Sequence, residues 1–315
     1  MARNRVQFQK GLSEADFAAR YGTEEQCRAA VMQWRWPAGF RCPKCGGGKH
    51  CVVGPRKLFQ CNACRRQTSL TAGTIFDQTK APLTTWFRAM YHLTQSKQGI
   101  SSIELGRRLG TTQTTAWKIK TKLAEVMRRD GETVQLSGRI EMDDVFLGGH
   151  RPGGKPGRGS PGKTPFVAAV ETTDDGKPKR IRLKRIARFK RKRIVSLAKR
   201  VVAPGSKVVT DGLSGFRGLV DAGCQHIVQV TGKGYRAAKI PTFKNINTIL
   251  GNIKSALVGT YRAVRRQHAG RFLAEFEWRF NHRDNLAAMI PNLACAAVRT
   301  PPAPYRWLKA ADGRA

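Results

Sequence analysis

The chain has 315 residues, enough for two or three domains, and its 58 Lys and Arg against 21 Asp and Glu give a formal net charge of +37. It has no run of about 18 apolar residues that could span a bilayer, and its polar start, MARNRVQFQK, does not match a signal peptide. These features argue against a membrane partner and favour a cytoplasmic protein that binds a polyanion, above all nucleic acid.

The first predicted elements are one or two short helices within residues 12–36. Ser13 and Thr23 are placed as N-caps, and Gln26 follows Thr23 at the spacing of a capping box. We assign residues 1–38 to these N-terminal helices.

A cysteine segment follows, which we assign to residues 39–75. Two CxxC pairs with fifteen residues between them predict a zinc site of four thiolates: Cys42, Cys45, Cys61 and Cys64. Because four protein ligands close the coordination sphere, the zinc is expected to be structural. Cys51 and His50, inside the loop, remain alternative ligands, and the cysteines elsewhere are expected in the core.

Residues 80–130 are predicted to form a helical domain. Ile103, Leu105 and Leu109 lie on a first helix, Gly110 marks a turn, and apolar residues recur at spacings of three and four from Ala116 onward, as in a helix-turn-helix. The second helix would present polar and basic side chains to a DNA groove: Thr112, Gln113, Thr114, Thr115, Lys118 and Lys122. An ordinary helical hairpin is the alternative.

From residue 137 to 290 the pattern is that of an α/β domain, followed by a tail over 291–315. Strands are predicted at 139–147, 165–171, 180–187, 206–210 and 226–230, with helices near 190–202, 213–221, 244–258 and 266–280. Three successive strands followed by alternating helices and strands indicate a mixed sheet flanked by helices.

Acidic residues stand at two strand ends of this domain. In RIEMDDVFLGG, Glu141 and Asp143 share one strand face and Asp144 lies on the other, so the alternation does not decide which acid faces a site. Asp211 ends the strand KVVTD. Two carboxylates on adjacent strands of a basic domain are what Mg²⁺ needs to hold a phosphodiester. Capping or ion-pairing acids are the alternative.

Residues 177–200 carry many Lys and Arg and no acid. Arg182 and Lys184 lie on the basic side of a predicted strand, which favours contacts with the phosphate backbone over a merely solvated face.

Residues 157–164 read GRGSPGKT, the letters of a phosphate-binding loop. Such a loop directly follows a strand and opens a helix, whereas here loop sequence precedes it and β-rich PFVAAVE follows. We therefore expect a flexible basic loop and no ATP binding.

The cysteine ribbon, the helical linker, IEMDDVFLGG, VVTDG, NIKSALVGTYR and EFEWRFNHR, in this order, resemble insertion-sequence transposases of the DDE type with an N-terminal zinc ribbon, the ISXO-like branch. The resemblance covers roughly residues 15–290. It implies a ribonuclease-H-like catalytic domain, Asp143 and Asp211 as the first two catalytic acids, and DNA cleavage and strand transfer with two ions, Mg²⁺ or Mn²⁺.

The family's third acid would fall in FKNINTILGNIKSAL, seven residues before a lysine. Counting back from Lys254 gives Asn247, whose carbonyl is an oxygen donor that Mg²⁺ and Mn²⁺ accept. Lys254 would contact phosphate. The alternatives are that Asn247 only hydrogen-bonds locally, that Glu275 or Glu277 is the third ligand, or that the protein is a catalytically inactive DNA-binding protein.

The partners implied are the element's terminal inverted repeats and target DNA, bound by a homo-oligomer, a dimer or higher, in the nucleoid of a prokaryotic cell. Tyr261 is the best candidate nucleophile for the competing class of tyrosine recombinases.

Overall fold

The computed structural model describes residues 6–148, 163–230, 241–261 and 264–310. The chain forms two compact units. The first comprises the described residues of Met1–Val126 and Asp284–Leu308, and the second comprises those of Met127–Arg283 and Lys309–Ala315. Across these described ranges, no helix has both the length and the apolar character needed to traverse a bilayer.

The first unit consists of helices around an aromatic core, together with a small sheet. Its helices are α1 (Glu14–Tyr21), α2 (Glu24–Arg35), α3 (Leu83–Thr94), α4 (Ser102–Leu109), α5 (Gln113–Asp130, which belongs to this unit up to Val126), α10 (Met289–Arg299) and α11 (Tyr305–Lys309). Phe87 on α3 is fully buried, and its ring centroid lies 4.9 Å from that of Tyr21 and 6.0 Å from that of Trp34. Large aromatic rings of three helices therefore share one core.

The first two helices begin at the predicted N-caps. The Ser13 hydroxyl accepts a hydrogen bond from the Asp16 N–H at 3.0 Å. At the start of α2, the Thr23 hydroxyl accepts from the Gln26 N–H at 3.2 Å, and the Gln26 side chain accepts from the Thr23 N–H at 3.0 Å. Both halves of the predicted capping box are thus confirmed.

Helices α4 and α5 have the predicted order and turn. Helix α4 ends at Gly110, whose φ of 65° lies in the left-handed region that glycine adopts without steric cost. Helix α5 begins three residues later. Of the residues predicted for the apolar faces of the two helices, Ile103 is 57% exposed, and the others are buried: Leu105, Leu109, Ala116, Ile119, Leu123 and Val126.

The cysteine segment folds as a three-stranded antiparallel sheet. Its strands are β1 (His50–Val53), β2 (Leu58–Cys61) and β3 (Gln67–Thr68), in the order β1-β2-β3. One tight turn precedes β1 and another connects β2 to β3; they are closed by hydrogen bonds from the Gly46 N–H to the Cys42 carbonyl at 2.9 Å and from the Arg65 N–H to the Cys61 carbonyl at 3.0 Å. Each turn carries one CxxC pair.

The second unit is a five-stranded mixed sheet. Its strands are β4 (Arg139–Leu147), β5 (Thr164–Thr172), β6 (Pro178–Arg185), β7 (Lys207–Thr210) and β8 (Gln225–Val228). In the sheet order β6-β5-β4-β7-β8, the pairs β4–β5 and β5–β6 are antiparallel, and the pairs β4–β7 and β7–β8 are parallel. Strand β4 is central, so its residues lie beside both the antiparallel and the parallel halves.

Helices cover both faces of this sheet. They are α6 (Arg191–Val201), the short α7 (Gly218–Asp221), α8 (Lys244–Ala256) and α9 (Ala269–Asn281). Residues of α8 and α9 share one core with one face of the sheet, where Val145, Phe166 and Val209 are buried. Residues of α6 and α7 share a second core with the opposite face, around Met142 and Val208. The central strands are therefore covered on both sides.

The observed order confirms the predicted mixed sheet flanked by helices, preceded by a four-cysteine ribbon and a helical region. The C-terminal segment differs from the prediction. A tail was predicted from residue 291, whereas Met289–Arg299 is a helix that packs against α2 and α3. Its buried Ile290, Leu293 and Ala297 explain why it does not stay in solvent.

Candidate metal centres

The parallel pairing of β4 and β7 places two acids side by side. Glu141 is aligned with Val209, and the same register continued by two residues aligns Asp143 with Asp211. Asp211 follows the last residue of β7 and precedes Gly212, which has a φ of 92°. The Asp211 carboxylate accepts a hydrogen bond from the Leu213 N–H at 3.2 Å, and this bond stabilises the turn that presents the carboxylate.

Three carboxylates meet at this strand end. Asp143, Asp144 and Asp211 are all half-buried, and each offers an oxygen such that the three oxygens lie within 4.8 Å of one another. Like charges this close repel unless a cation or a proton lies between them. Carboxylate oxygens are the ligands that Mg²⁺ and Mn²⁺ prefer, so the donor set fits a divalent ion.

Asp144 is the member of this cluster that sequence reasoning did not select. Strand alternation places it on the face opposite Asp143. The pairing of β4 with β7 ends at Glu141 and Val209, before Asp143 and Asp144. No residue of β7 is therefore paired with either aspartate, and both carboxylates come close to that of Asp211. The signal in the sequence that pointed to Asp144 was its position directly after Asp143.

Asn247 lies in the first turns of α8, on the core side of the sheet where Val145 is buried. It is half-buried, and Gly251 and Lys254, on the same helical face, are exposed. The predicted apolar face of the helix is confirmed as buried, with Ile246, Ile249, Leu250, Ile253 and Leu257 in the core. The assignment of Asn247 as a metal ligand stays a prediction.

The two alternative third acids have other partners. The Glu277 carboxylate is buried and lies 2.7 Å from the Arg182 guanidinium, and it accepts a hydrogen bond from the Leu183 N–H at 2.7 Å. The buried Glu275 accepts a hydrogen bond from the Tyr261 hydroxyl at 2.6 Å. Neither belongs to the carboxylate cluster. Because the Tyr261 hydroxyl donates this hydrogen bond to a buried carboxylate, it is poorly placed to act as the nucleophile of a tyrosine recombinase.

The four predicted thiols meet in the ribbon. The sulfurs of Cys42 and Cys64 are 3.5 Å apart, those of Cys45 and Cys61 are 3.6 Å apart, and all four lie within 4.8 Å of one another. Tetrahedral zinc with Zn–S bonds of about 2.3 Å has sulfurs about 3.8 Å apart, so the donor set fits this ion. The other two candidate ligands lie outside the cluster. His50 packs its ring against Phe40, and Cys51 is exposed.

The ionisation of these thiols is coupled. Hydrogen bonds from backbone N–H groups, led by that of Cys45, lower the pKa of Cys42 to about 6. A backbone hydrogen bond from Gly47 acts in the same direction on Cys45, but the neighbouring thiols of Cys64 and Cys61 outweigh it and raise the pKa of Cys45 to about 12. A cation at the centre would remove this conflict, because zinc binds the thiolate form.

Models of known protein families match two separate ranges of the chain. Residues 135–281 match the family model of the ISXO2-like transposase domain, and residues 22–67 match that of the transposase zinc-ribbon domain. The chain therefore contains a transposase zinc ribbon and an ISXO2-like transposase domain. The matched ranges contain the carboxylate cluster and the four cysteines, and the ribbon match together with its thiol geometry supports a structural zinc.

Individual relatives are distant from this chain. It is 24% identical over 128 residues to an uncharacterized protein in transposable element ISH50 of Halobacterium salinarum, a match that covers 40% of the chain and 42% of that relative. A solved structure, that of a pre-cleavage Mos1 transpososome, is similar at 11% identity and a TM-score of 0.24, over 67% of the chain and 78% of the matched one.

Three basic residues predicted as DNA contacts have partners within the chain. Arg182 is 4% exposed and is bound by Glu277 and the Gly131 carbonyl, so it cannot meet a phosphate. The Lys184 ammonium lies 3.2 Å from the same carboxylate. The half-buried Lys122 ammonium donates to the Ile75 carbonyl at 3.1 Å, and burial lowers its pKa. These partners argue against the three residues as DNA contacts, most strongly for the buried Arg182.

The other predicted contacts are on the surface. Thr112, Gln113 and Thr114 are exposed at the start of α5. Lys118 is also exposed, with its ammonium 4.8 Å from the centroid of the Tyr305 ring. Residues 157–162 of GRGSPGKT lie outside the described residues. Thr164, the last residue of that motif, begins strand β5 and not a helix.

Proposed function

We propose that this transposase cleaves and joins DNA strands at the ends of an insertion sequence, with Asp143, Asp211 and Asn247 holding the divalent ions. The observation that carries the proposal is the cluster that Asp143 and Asp144 of β4 form with Asp211 at the end of β7, within the transposase domain. Only 21 of 315 residues are acidic. Three acids brought together in so basic a chain indicate a cation site.

Bound there, Mg²⁺ or Mn²⁺ would activate the attacking oxygen and neutralise the charge of the leaving oxygen in a phosphodiester exchange. The residues of the chain hold and orient the reacting groups. The Leu213 N–H fixes the Asp211 carboxylate, and the exposed Lys254 lies on the same helical face as Asn247, where its ammonium can bind a DNA phosphate.

The DNA itself is proposed to bind at two basic surfaces. At the start of α5, the exposed Thr112, Gln113, Thr114 and Lys118 would contact the terminal inverted repeats. On α6, exposed cations take the place of the buried Arg182 as phosphate contacts: Lys192, Arg193, Lys199 and Arg200. Since an element has two ends, the proposal includes a homo-oligomer, a dimer or higher, acting on both ends and on target DNA.

A strand-transfer assay on DNA that carries the element's own ends, with Mg²⁺ or Mn²⁺, tests this function. We expect Asp143→Ala and Asp211→Ala each to lower product formation by more than the roughly 100-fold that loss of an outer partner of a metal site can cause. Asp175→Asn, which alters an exposed acid paired with Lys177, is the matched control and should keep full activity. Equal activity in the wild type and both alanine variants would overturn the catalytic assignment.

A second candidate function is DNA binding without catalysis. It is favoured by one observation, the uncharged Asn247 where the resembled family commonly carries an acid. It predicts that the wild type binds the ends specifically and forms no cleaved product with either ion. In that case Asn247→Asp, which restores a third charge, is the variant in which to look for cleavage.

A further inference from the structure

A buried carboxylate lies two residues before Asp143 on the same face of β4. Glu141 is 1% exposed, and the proposed chemistry does not use it. A buried charge needs partners, and two of its partners lie on α8. The Asn245 side-chain amide donates to Glu141 Oε1 at 2.9 Å, and the Ile246 N–H donates to Oε2 at 3.0 Å.

Arg139 adds a second connection between the same elements. Its Nη1 lies 3.2 Å from Glu141 Oε1, and its Nη2 donates to the Thr242 carbonyl, just before α8, at 3.4 Å. The Asn245 amide also donates to the Gly176 carbonyl at 3.0 Å. We call the group of Arg139, Glu141, Thr242, Asn245 and Ile246 the β4–α8 clamp.

The clamp takes the place of a local helix cap. The N–H groups of a first helical turn have no partner within the helix and favour an anionic acceptor. At the start of α8 the N-cap residue, Phe243, makes no side-chain cap hydrogen bond. The acceptor for Ile246 comes instead from Glu141 on β4, so the start of α8 is fixed to the strand that carries Asp143.

We propose that Glu141 is a positioning residue for the divalent-ion site: through Asn245 and Ile246 it holds Asn247 at a fixed place relative to Asp143. Asn247 follows Ile246 directly, and Asp143 follows Glu141 by two residues on one strand face, so each side of the clamp lies next to one proposed ligand. The inference rests on the proposed function, because it requires Asn247 to be a ligand.

The test compares two buried acids of the same sheet in the full-length protein. Glu141→Gln keeps the side-chain size but removes the charge. Glu171→Gln is the matched control, because Glu171 is 2% exposed but its partners are the Lys179 ammonium at 2.8 Å and the Ser137 N–H at 3.4 Å. We expect electron paramagnetic resonance to show Mn²⁺ affinity weakened about 10–100-fold in Glu141→Gln and unchanged in Glu171→Gln.

Two further readouts separate positioning from general destabilisation. Hydrogen exchange at the Ile246 amide should be faster in Glu141→Gln and in Asn245→Ala, with the sheet unchanged. Cleavage by Glu141→Gln should recover at high Mn²⁺ concentration, whereas a folding defect would lower it at every concentration.

Wild-type Mn²⁺ affinity in Glu141→Gln, or an equal loss in Glu171→Gln, would overturn the inference. Mn²⁺ binding that depends on Glu141, without any DNA cleavage by the wild type, would overturn the proposed activity and support the positioning role. No Mn²⁺ binding by the wild type would overturn both.

Discussion

Three carboxylates whose oxygens lie within 4.8 Å of one another cannot all be charged without cost. If a divalent ion offsets that cost, Asp144 contributes to its affinity together with Asp143 and Asp211. We expect Asp144→Asn to weaken Mn²⁺ binding by roughly 10-fold or more, as measured by titration of free Mn²⁺. Asp175→Asn, at an exposed turn, should have no effect. Unchanged affinity in Asp144→Asn would place Asp144 outside the ion site.

His226 supports the turn after Asp211 from the neighbouring strand. Its Nε2 lies 2.8 Å from the hydroxyl of the fully buried Thr210, which also accepts a hydrogen bond from the Gly212 N–H at 3.3 Å. Burial lowers the pKa of His226. The folded state therefore disfavours the charged imidazole. The unfolded chain takes up a proton at His226 first as the pH falls below about 6.5, so the free energy of unfolding decreases from there down to the lower pKa of the folded state.

The measurement for His226 is an NMR titration of its ring protons. We expect a midpoint below about 6.5, and we expect His226→Gln to reduce the loss of stability on acidification through that window. A midpoint at or above the ordinary value would contradict the neutral, buried histidine.

Functional residues could be predicted from the sequence where the spacing between them by itself determines a ligand site. Each CxxC pair lies on its own tight turn, which directs both of its sulfurs to one centre, so the four thiols were predictable. Arg182 was not, because its partner Glu277 is 95 positions away in sequence and the pair forms only when α9 packs on β6. Glu141 was missed for the same reason, since its partners lie more than 100 positions further along the chain.

At the scale of elements, the ribbon has only three short strands, so we expect its fold to depend on a bound zinc. Structural zinc in such modules contributes apparent binding free energies of about 10–16 kcal/mol at neutral pH, which are also folding free energy. We expect one zinc per chain by metal analysis, and we expect Cys61→Ser to lose both the zinc and the protection of the ribbon in hydrogen exchange. Cys51→Ser, at an exposed cysteine of the same sheet, should keep both. Zinc retained in Cys61→Ser would contradict the four-thiolate site.

The elements themselves were predictable where local signals agreed. The strand predicted at 139–147 is observed as Arg139–Leu147, because apolar alternation and the flanking glycines give the same limits. The helix Met289–Arg299 was missed because its sequence is short and apolar, and only its packing against α2 and α3 distinguishes it from a tail. Near 213–221 the single helix predicted is two short pieces, Ser214–Arg217 and Gly218–Asp221.

At the scale of the whole molecule, the charge of +37 determines how affinity for DNA should depend on salt. Each phosphate contact contributes about 0.9 to the slope of log affinity against log salt concentration. We expect Arg193→Ala, at an exposed residue of α6, to reduce that slope by about 1. Arg182→Met should leave the slope unchanged and destabilise the fold by about 3–5 kcal/mol, because it leaves Glu277 buried without its closest cation.

Binding measured over a series of salt concentrations, together with denaturant unfolding, distinguishes these two arginines. A reduced slope in Arg182→Met with unchanged stability would contradict the buried ion pair and restore that residue as a DNA contact.

The divalent-ion site is tested most directly by a crystal of the protein soaked in Mn²⁺, with anomalous diffraction used to locate the ion. We expect an anomalous peak at about 2.0–2.2 Å from carboxylate oxygens of Asp143 and Asp211 and from the side-chain oxygen of Asn247. Ordered Mn²⁺ elsewhere and none at this cluster, or an ion held by the aspartates with Asn247 turned away, would contradict this expectation.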